Sequence, residues 1–195
     1  GREVPVFPTP TIGMLGIVED KKHITTLAFQ NSGSLIYMLG DSLNDINCSE
    51  YLVAYHKINE SSTPFFDLDI EFELQQSVSS LIKEDLIISA HDVSDGGLFI
   101  TLLESSMANN LGFSINSADN IRKDAFLFGE SPSRVVVSID NGNKQAFEDL
   151  LSKHKTSFHL LGTVTEGDLL VDGELFGDVS AYKQKFDSSL TKKMS

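Results

Sequence analysis

Cysteine and tryptophan are nearly missing from the chain. Cys48 is the single cysteine among 195 residues, which excludes an internal disulfide and any metal cage built from several thiolates. Tryptophan does not occur at all. No apolar run is long enough to cross a bilayer, and the amino terminus lacks the pattern of a signal peptide. We therefore expect a cytoplasmic protein that does not interact with membranes.

Positive charge is also scarce. Lysine and arginine total 15 against 28 aspartate and glutamate residues, which gives a formal net charge of −13 and a pI near 4.6. That balance argues against nucleic acid or an acidic membrane as a partner, although it does not exclude a local phosphate site. The proportions of hydrophobic residues (41%) and charged residues (22%) are ordinary for a globular protein. A chain of this length suits one domain with a substantial core.

Proline is infrequent and concentrated near the amino terminus. Three of the five prolines lie in residues 1–11, and because proline blocks regular strand pairing, this stretch is predicted to be an extended lead-in. Residues 12–186 form the predicted domain, and residues 187–195 are predicted to be a tail. Because the chain starts with Gly1 instead of methionine, we expect the natural polypeptide to extend further upstream.

The spacing of apolar residues predicts strands separated by helices. Strands are predicted at residues 12–18, 24–29, 35–39, 86–89, 113–115, 134–139, 160–164 and 169–171. Helices are predicted at residues 49–58, from Asp67 or Asp69 through Ile82, from residue 98 to about 109, from Asn141 through His154, and as a short helix or tail from Tyr182. The first three strands suggest an antiparallel meander. The predicted fold class is therefore α/β (α+β): a mixed β-sheet covered by helices, with a ferredoxin-like split βαβ element.

The most informative segment is residues 89–98, with the sequence SAHDVSDGGL. An apolar strand precedes it and an amphipathic helix follows, so Gly96 and Gly97 are predicted to lie in the first turn of that helix. Glycine lets a ligand approach the unpaired N–H groups, and helix N-termini favour phosphate and carboxylate. The structural alternative is that these glycines only permit a sharp turn from strand to helix.

Polar side chains crowd the same segment. Asp92, Ser94 and Asp95 are candidates for binding phosphate or substrate, and alternatively one of them only caps the helix. His91 beside Asp92 is a candidate general base. Adjacent strand residues point in different directions, so direct pairing of these two side chains is not expected. A histidine that is hydrogen-bonded for structural reasons is the alternative.

A second polar segment, FGESPSR, covers residues 128–134. Glu130 and Ser131 are candidate hydrogen-bonding groups for a substrate, and Arg134 is a candidate bidentate ligand for phosphate. The alternative is a turn in which Arg134 forms an ion pair with Glu130. The other histidines have no spacing that indicates a metal site, so no metal ligand is predicted.

Three blocks of the chain resemble the phosphoribosylformylglycinamidine synthase family. They are residues 8–20 (PTPTIGMLGIVED), residues 91–98 (HDVSDGGL, followed in the helix by Leu103 and Glu104), and residues 128–134 before the strand that follows. The blocks occur in the order typical of the family. Three blocks in that order are a more specific signal than any single block. It implies the last AIR-synthase-type carboxyl-side domain of a two-repeat synthetase subunit of the small type, and hence a piece of a longer protein.

The resemblance implies an ATP-dependent ligase of purine biosynthesis, which converts formylglycinamide ribonucleotide and glutamine-derived ammonia to the amidine. In this family the residues that hold ATP phosphates and Mg²⁺ lie mainly in amino-side domains. We therefore expect this chain to be inactive alone and to bind no cofactor tightly. The implied partners are the upstream domains, a separate glutaminase, a small bridging subunit and the ribonucleotide.

The second polar segment departs from the family pattern. Pro132 and Ser133 stand where the first repeat commonly has glutamine and glutamate, which puts direct substrate binding at this turn in doubt. Two alternatives therefore remain open. The domain is a structural or nucleotide-binding pseudo-site, or it belongs to another AIR-synthase-like enzyme such as a small-molecule kinase.

Overall fold

A seven-stranded mixed sheet forms the centre of the fold in the computed structural model, which describes residues 11–194. The strands are β1 (Leu35–Leu39), β2 (Ser89–Asp92), β3 (Gly112–Ile115), β4 (Val135–Ile139), β5 (Phe158–Thr165), β6 (Asp168–Val171) and β7 (Glu174–Asp178). The helices are α1 (Glu50–Ala54), α2 (Leu68–Lys83), α3 (Gly97–Met107), α4 (Lys123–Phe128), α5 (Lys144–His154) and α6 (Val179–Met194). This mixed sheet with its helices confirms the predicted fold class.

The strand order is β2-β4-β1-β5-β3-β6-β7. β1 is antiparallel to both β4 and β5, and β2 is antiparallel to β4. The connection β1–α2–β2 therefore joins two parallel strands that are separated by β4. The connection β4–α5–β5 likewise joins two parallel strands that are separated by β1. Two interleaved split βαβ units of this kind are the ferredoxin-like element that the sequence predicted.

Alternate residues of β1 supply two separate cores, because successive strand side chains point to opposite faces. Tyr37 packs in the core beneath α2 and α5, with its ring centroid 4.8 Å from that of Phe147. Ile36 packs on the opposite face with Leu102 of α3 and Phe126 of α4. The sheet is thus covered on both faces, and α3 and α4 share the face that bears the candidate site.

The helix α2 begins where its capping residue predicts. The carboxylate of Asp67 accepts hydrogen bonds from the N–H groups of Asp69 (2.9 Å) and Ile70 (3.1 Å), two donors that otherwise have no partner at a helix start. Leu74 and Leu81 on the predicted face are buried. Ile70, in the first turn, is exposed, so the packed face begins one turn later than predicted.

The first two predicted strands are wrong, and so is the meander that they were expected to form with β1. Residues 11–20 contain no strand, and Ile12, Leu15 and Ile17 are exposed. Residues 24–29 contain one isolated bridge, between Thr26 and Ser89. Apolar composition is not sufficient for a strand, because a strand also needs a partner for its backbone groups. The predicted lead-in lies outside the described residues except for Thr11.

Several elements near the carboxyl terminus and around the middle differ from expectation. α4 and β7 were not predicted, and α1 ends at Ala54 instead of residue 58. α6 begins at Val179, three residues before the predicted helix, and continues to Met194 through the stretch that was expected to be a tail. β7 escaped prediction because its two apolar residues, Leu175 and Phe176, are adjacent instead of alternating, and Gly177, with φ at 125°, follows them.

Candidate functional site

The two polar segments meet at one edge of the sheet. β1, β2 and β3 end at this edge, and β4 and β5 begin there because they run antiparallel to their neighbours. The segment that follows β2 and the segment that precedes β4 are therefore adjacent in space. The topology brings together two motifs that lie more than thirty residues apart in the sequence.

The strand before the glycines lies further along the chain than predicted. Ile87 is buried but lies outside the sheet, and the ladder begins when the N–H of Ile88 donates to the carbonyl of Ser138 at 2.8 Å. β2 therefore runs from Ser89 to Asp92 instead of ending at Ser89. The reason is that α2 ends through a hydrogen bond from the N–H of Leu86 to Leu81, which keeps this part of the apolar run at the helix end.

His91 faces α3 and bonds to it. Its Nδ1 lies 3.2 Å from the carbonyl oxygen of Thr101 and 3.2 Å from Oγ of Ser105, and its Nε2 lies 3.5 Å from Oε2 of Glu104. As expected from strand geometry, it does not pair with Asp92, whose side chain is exposed. His91 thus fixes the strand to the helix, and Glu104 supplies the carboxylate beside it.

The amino end of α3 is held by a carboxylate from the other segment. Gly96 precedes the helix with φ at 85°, and no side chain of its own segment caps it. Instead, Oε1 of Glu130 accepts from the N–H of Gly96 at 2.8 Å and from the N–H of Glu50, the first residue of α1, at 2.7 Å. A carboxylate at a helix start is favourable because the unpaired N–H groups carry partial positive charge.

The alternative that a polar side chain of the first segment caps α3 is therefore wrong. Asp92, Ser94 and Asp95 were each considered as the cap of α3, and none of them makes a capping hydrogen bond. All three side chains are exposed at the sheet edge. They lie beside the start of α3 and make no hydrogen bond to it.

Gly97 is required by a close approach of two backbones. Its φ is 71°, and a Cβ at this position would lie 2.7 Å from the carbonyl oxygen of Gly129 and 2.8 Å from backbone atoms of Phe128. Any side chain here would push the helix start away from the turn that follows α4. The second glycine of the pair is thus explained by packing against the other segment.

Arg134 is buried, with 2% of its surface exposed, and it holds the turn that precedes β4. Its guanidinium donates to the carbonyl oxygens of Ser131 (2.9 Å) and Gly129 (2.7 Å), and to Oγ of Ser42 (3.2 Å). Burial lowers the pKa of Arg134 to about 10, and the negative charge of Glu130 opposes that shift. The predicted ion pair between Arg134 and Glu130 is wrong, because neither oxygen of Glu130 lies within ion-pair distance of the guanidinium.

Pro132 and Ser133, the two positions that depart from the family pattern, form the tip of this turn. Ser133 has a positive φ of 61°, and its hydroxyl donates to Oε2 of Glu71 at 2.7 Å. Its backbone carbonyl packs tightly against Gly40. Ser131, which precedes Pro132, is buried. The turn is therefore tied to α2 and β1 by contacts that its own residues make.

The sequence did not predict three contacts of the site, which are those of Ser42 with Arg134, Glu50 with Glu130, and Glu104 with His91. Ser42 and Arg134 are separated by 92 positions, and no spacing signal connects them. Glu104 was noted only as part of a motif.

Among residues 11–194, no group of three or more histidine, cysteine, aspartate or glutamate residues is arranged to hold a metal ion. None of the described helices combines the length and the apolar character that a bilayer crossing requires.

Curated relatives match this chain over most of its length. The phosphoribosylformylglycinamidine synthase subunit PurL of Alkaliphilus metalliredigens is 35% identical over 164 residues, which cover 84% of this chain and 22% of that protein. The subunit of the same name from Trichormus variabilis is 35% identical over 178 residues, covering 88% of this chain and 23% of that protein. The chain therefore spans less than a quarter of the length of these relatives.

Solved structures share the fold. Thermotoga maritima PurL complexed with FGAR has a TM-score of 0.70 at 16% identity, over 84% of this chain and 30% of that one. The T. maritima PurL complexed with ATP (TM-score 0.65, 16% identity, 82% of this chain and 27% of that one) and the PurLQS structure from the same organism (TM-score 0.63, 15% identity, 84% and 28%) are also similar.

The sequence model of one family covers most of the chain. It is described as AIR synthase related protein, C-terminal domain, and it matches residues 31–172, a range that contains the sheet edge with both polar segments. On that match, this chain belongs to the family of AIR synthase related C-terminal domains.

Proposed function

We propose that the chain is the C-terminal domain of an ATP-dependent ligase, the synthetase subunit of phosphoribosylformylglycinamidine synthase. The whole protein converts formylglycinamide ribonucleotide and ammonia derived from glutamine to formylglycinamidine ribonucleotide. In that reaction the amide oxygen is phosphorylated by ATP, and ammonia then displaces phosphate. The observation that carries the proposal is the direct bond between the two motif segments, from the N–H of Gly96 to Glu130. It joins the residues of the family resemblance into one unit at an open sheet edge.

We assign two kinds of role at this edge. Asp92, Ser94 and Asp95 are exposed and are the side chains offered to a substrate or phosphate group bound between this domain and an upstream one. The other candidates position them. Gly96 and Gly97 allow the close approach of α3 to the turn, and the remaining members fix that turn and the strand: Glu130, Ser131, Arg134 and His91.

ATP and Mg²⁺ belong to the proposal for the whole protein. T. maritima PurL, whose fold is similar, is complexed with ATP in one of its structures. Among the described residues of this chain, no group of three or more histidine, cysteine, aspartate or glutamate residues is arranged to hold a metal ion. Mg²⁺ is usually bound by one or two carboxylates together with substrate phosphates and water, so its protein ligands need not form such a group. Following the family resemblance, we assign the metal and the ATP phosphates mainly to upstream domains, and we expect this chain to have no activity alone.

The partners follow from the same reading. The chain covers 22% of its relative from A. metalliredigens, and we propose that the upstream domains pack against it in the intact protein. The similar PurLQS structure from T. maritima supports an assembly of several subunits. We propose a separate glutaminase and a small bridging subunit as further partners, and a cytoplasmic location for the complex.

The test is an assay of the full-length protein with formylglycinamide ribonucleotide, ATP and ammonia. We expect amidine formation, and we expect Asp92→Asn and Ser94→Ala to lower turnover at least about tenfold, the effect of losing one strong hydrogen bond in the transition state. Both side chains are exposed, so their replacement leaves the fold intact. Asp140→Asn, an exposed carboxylate at the opposite edge of the sheet, is the matched control and should retain full turnover.

Two results would contradict different parts of the proposal. Absence of amidine formation by the well-folded full-length protein would reject the activity. Amidine formation that is equal in all three variants would retain the activity and reject the role of this sheet edge. Calorimetry with ATP, ADP and the ribonucleotide would separately show whether the isolated chain binds any of them.

One observation favours a second candidate, a domain whose site is structural. The guanidinium of Arg134 donates its hydrogen bonds to two carbonyls of its own turn and to Ser42, so it does not reach a phosphate at the surface. Under this reading, the domain supports a catalytic site located elsewhere in the protein. Unchanged turnover in Asp92→Asn and Ser94→Ala, together with a loss of stability in variants of the turn, would support it.

A further inference from the structure

A cavity of about 430 Å³ opens at the same sheet edge, between the end of β1, the end of β3, the start of β5 and α4. Its floor consists of Met38, Phe126 and Leu161, all of which are at least 97% buried. Cavities of this size with an apolar floor and a few polar groups are typical of small-molecule sites. The cavity does not include the glycine pair or any of the exposed side chains assigned to the ligase site.

The rim of the cavity is polar. The side chains of Asn116 and Asn120 lie at the rim and are exposed. Nε2 of His159 lies 2.7 Å from Oδ1 of Asp41, so the rim carboxylate is paired with an imidazole. Ser42 also lines the cavity and is half-buried. The rim thus offers amide, imidazole and hydroxyl groups, and its carboxylate is already engaged.

A buried positive charge stands behind this rim. Nη1 of Arg134 donates to Oγ of Ser42 at 3.2 Å, and within residues 11–194 no carboxylate lies within ion-pair distance of the guanidinium. Buried charges in proteins are normally paired, because an unpaired charge loses its hydration without compensation. Carbonyl oxygens of the turn compensate this charge in part. The guanidinium therefore lies directly behind Ser42, and Glu130, whose negative charge acts on it, is not within ion-pair distance.

The hydroxyl of Ser42 has no strong acceptor for its own proton. Because its oxygen accepts from Arg134, its O–H is directed elsewhere, and its hydrogen-bond partner is Sδ of Met38 at 3.5 Å. A thioether sulfur is a weak acceptor. A hydroxyl that is polarised by a cation and bonded only to sulfur would bind an oxygen acceptor in preference to the sulfur.

We propose that this cavity binds a small oxyanion ligand, a carboxylate or a phosphate monoester, whose oxygen accepts the O–H of Ser42. The apolar part of the ligand lies on Met38, Phe126 and Leu161, and Asn116 and Asn120 bond its polar substituents. The Asp41 carboxylate at the rim disfavours a second negative group, so the ligand carries its charge at one end. This inference stands on the described chain alone and does not depend on the proposed ligase activity.

Titration of the isotope-labelled chain by NMR with inorganic phosphate and with acetate tests the proposal. We expect one or both anions to shift the amide resonances of residues 116–121 with a saturable dependence. Ser42→Ala should weaken that affinity about tenfold, because it removes the donor while retaining the cavity. Ser32→Ala, in an exposed turn at the opposite edge of the sheet, is the matched control and should not change it.

The two probes separate the two sources of the same chemistry. The anion that saturates the shifts at the lower concentration identifies the source, phosphate for a phosphate monoester and acetate for a carboxylate. Ala118→Leu fills the cavity from its wall without altering Ser42, and it should abolish binding even if Ser42→Ala does not fold. The proposal is overturned if neither anion shifts residues 116–121, if the shifts are confined to the start of α3, or if both variants bind as the unaltered chain does.

Discussion

The carboxylate of Glu130 accepts the N–H of Gly96 at 2.8 Å, and the same oxygen accepts the N–H of Glu50 at 2.7 Å. One side chain therefore joins the starts of α3 and α1 to the turn before β4. Since carboxylates at helix starts compensate unpaired N–H groups, this contact is favourable electrostatically as well as geometrically. The two motifs of the sheet edge fold as one unit because of it.

Removal of the Glu130 carboxylate should destabilise the protein. Glu130→Ala leaves two backbone donors without their charged acceptor, and we expect a loss of about 2–3 kcal/mol in the free energy of unfolding. Glu130→Gln retains an oxygen acceptor and loses the charge, so its loss should be about half as large. Urea unfolding measures both values.

Hydrogen exchange provides the site-specific control for this prediction. The amides of Gly96 and Glu50 should gain more exchange rate in Glu130→Ala than the amide of Ile88, which bonds within the sheet and is affected only through the loss of global stability. Equal stability of all three proteins would show that the carboxylate does not join the segments in solution.

The sequence contained enough local information to identify the junction but not its partners. A strand, a glycine pair and an amphipathic helix follow each other within about twenty residues, so their order is readable from periodicity. The cap of α3 comes from Glu130, which is 34 positions away from Gly96. From the sequence alone, a nearby residue such as Ser94 is an equally good candidate for the cap. Only the sheet topology decides between them.

The errors at the amino terminus have a different cause. The apolar run from Ile12 to Val18 has the composition of a strand, yet it pairs with no strand of the described chain and its large side chains are exposed. α4 was missed for the opposite reason, because a six-residue helix has too few turns for a periodic pattern. The first error arises because a strand needs a pairing partner, and the second because a short helix does not show its period in the sequence.

The close approach of α3 to the neighbouring turn predicts the cost of a side chain at Gly97. Gly97→Ala should destabilise the protein by about 2–4 kcal/mol, since Cβ would collide with backbone atoms of Phe128 and Gly129 at a positive φ. Gly142→Ala is the matched control, because nothing lies within 4 Å of its Cβ position. We expect that control to stay within about 0.5 kcal/mol in urea unfolding. Similar values for both variants would show that the backbones do not approach this closely.

Asp172 should contribute stability that acid removes. Its carboxylate accepts from the N–H of Ser117 at 2.7 Å and from Nζ of Lys123 at 2.9 Å, and these contacts, the first above all, lower its pKa. A lowered pKa in the folded state gives stability that is present above the ordinary value, about 3.9, and lost as the pH falls through the folded value. Asp172→Asn should therefore be less stable at pH 7, and the difference should shrink towards pH 3. A difference that is independent of pH would contradict this assignment.

Tyr37 should show the reverse dependence at high pH. Its hydroxyl donates to Oε1 of Glu148 at 2.7 Å, and burial, followed by this hydrogen bond and the nearby negative charge, raises its pKa. Above about pH 10 the unfolded tyrosine loses its proton while the folded one retains it, so stability declines as the pH rises. Tyr37→Phe should be about 1.5–3 kcal/mol less stable at pH 7, because it loses a hydrogen bond to a charged group. Its deficit should narrow between pH 9 and pH 10.5 in urea unfolding. A deficit that widens over that interval would mean that Tyr37 ionises more readily in the folded protein, contrary to its burial against Phe147.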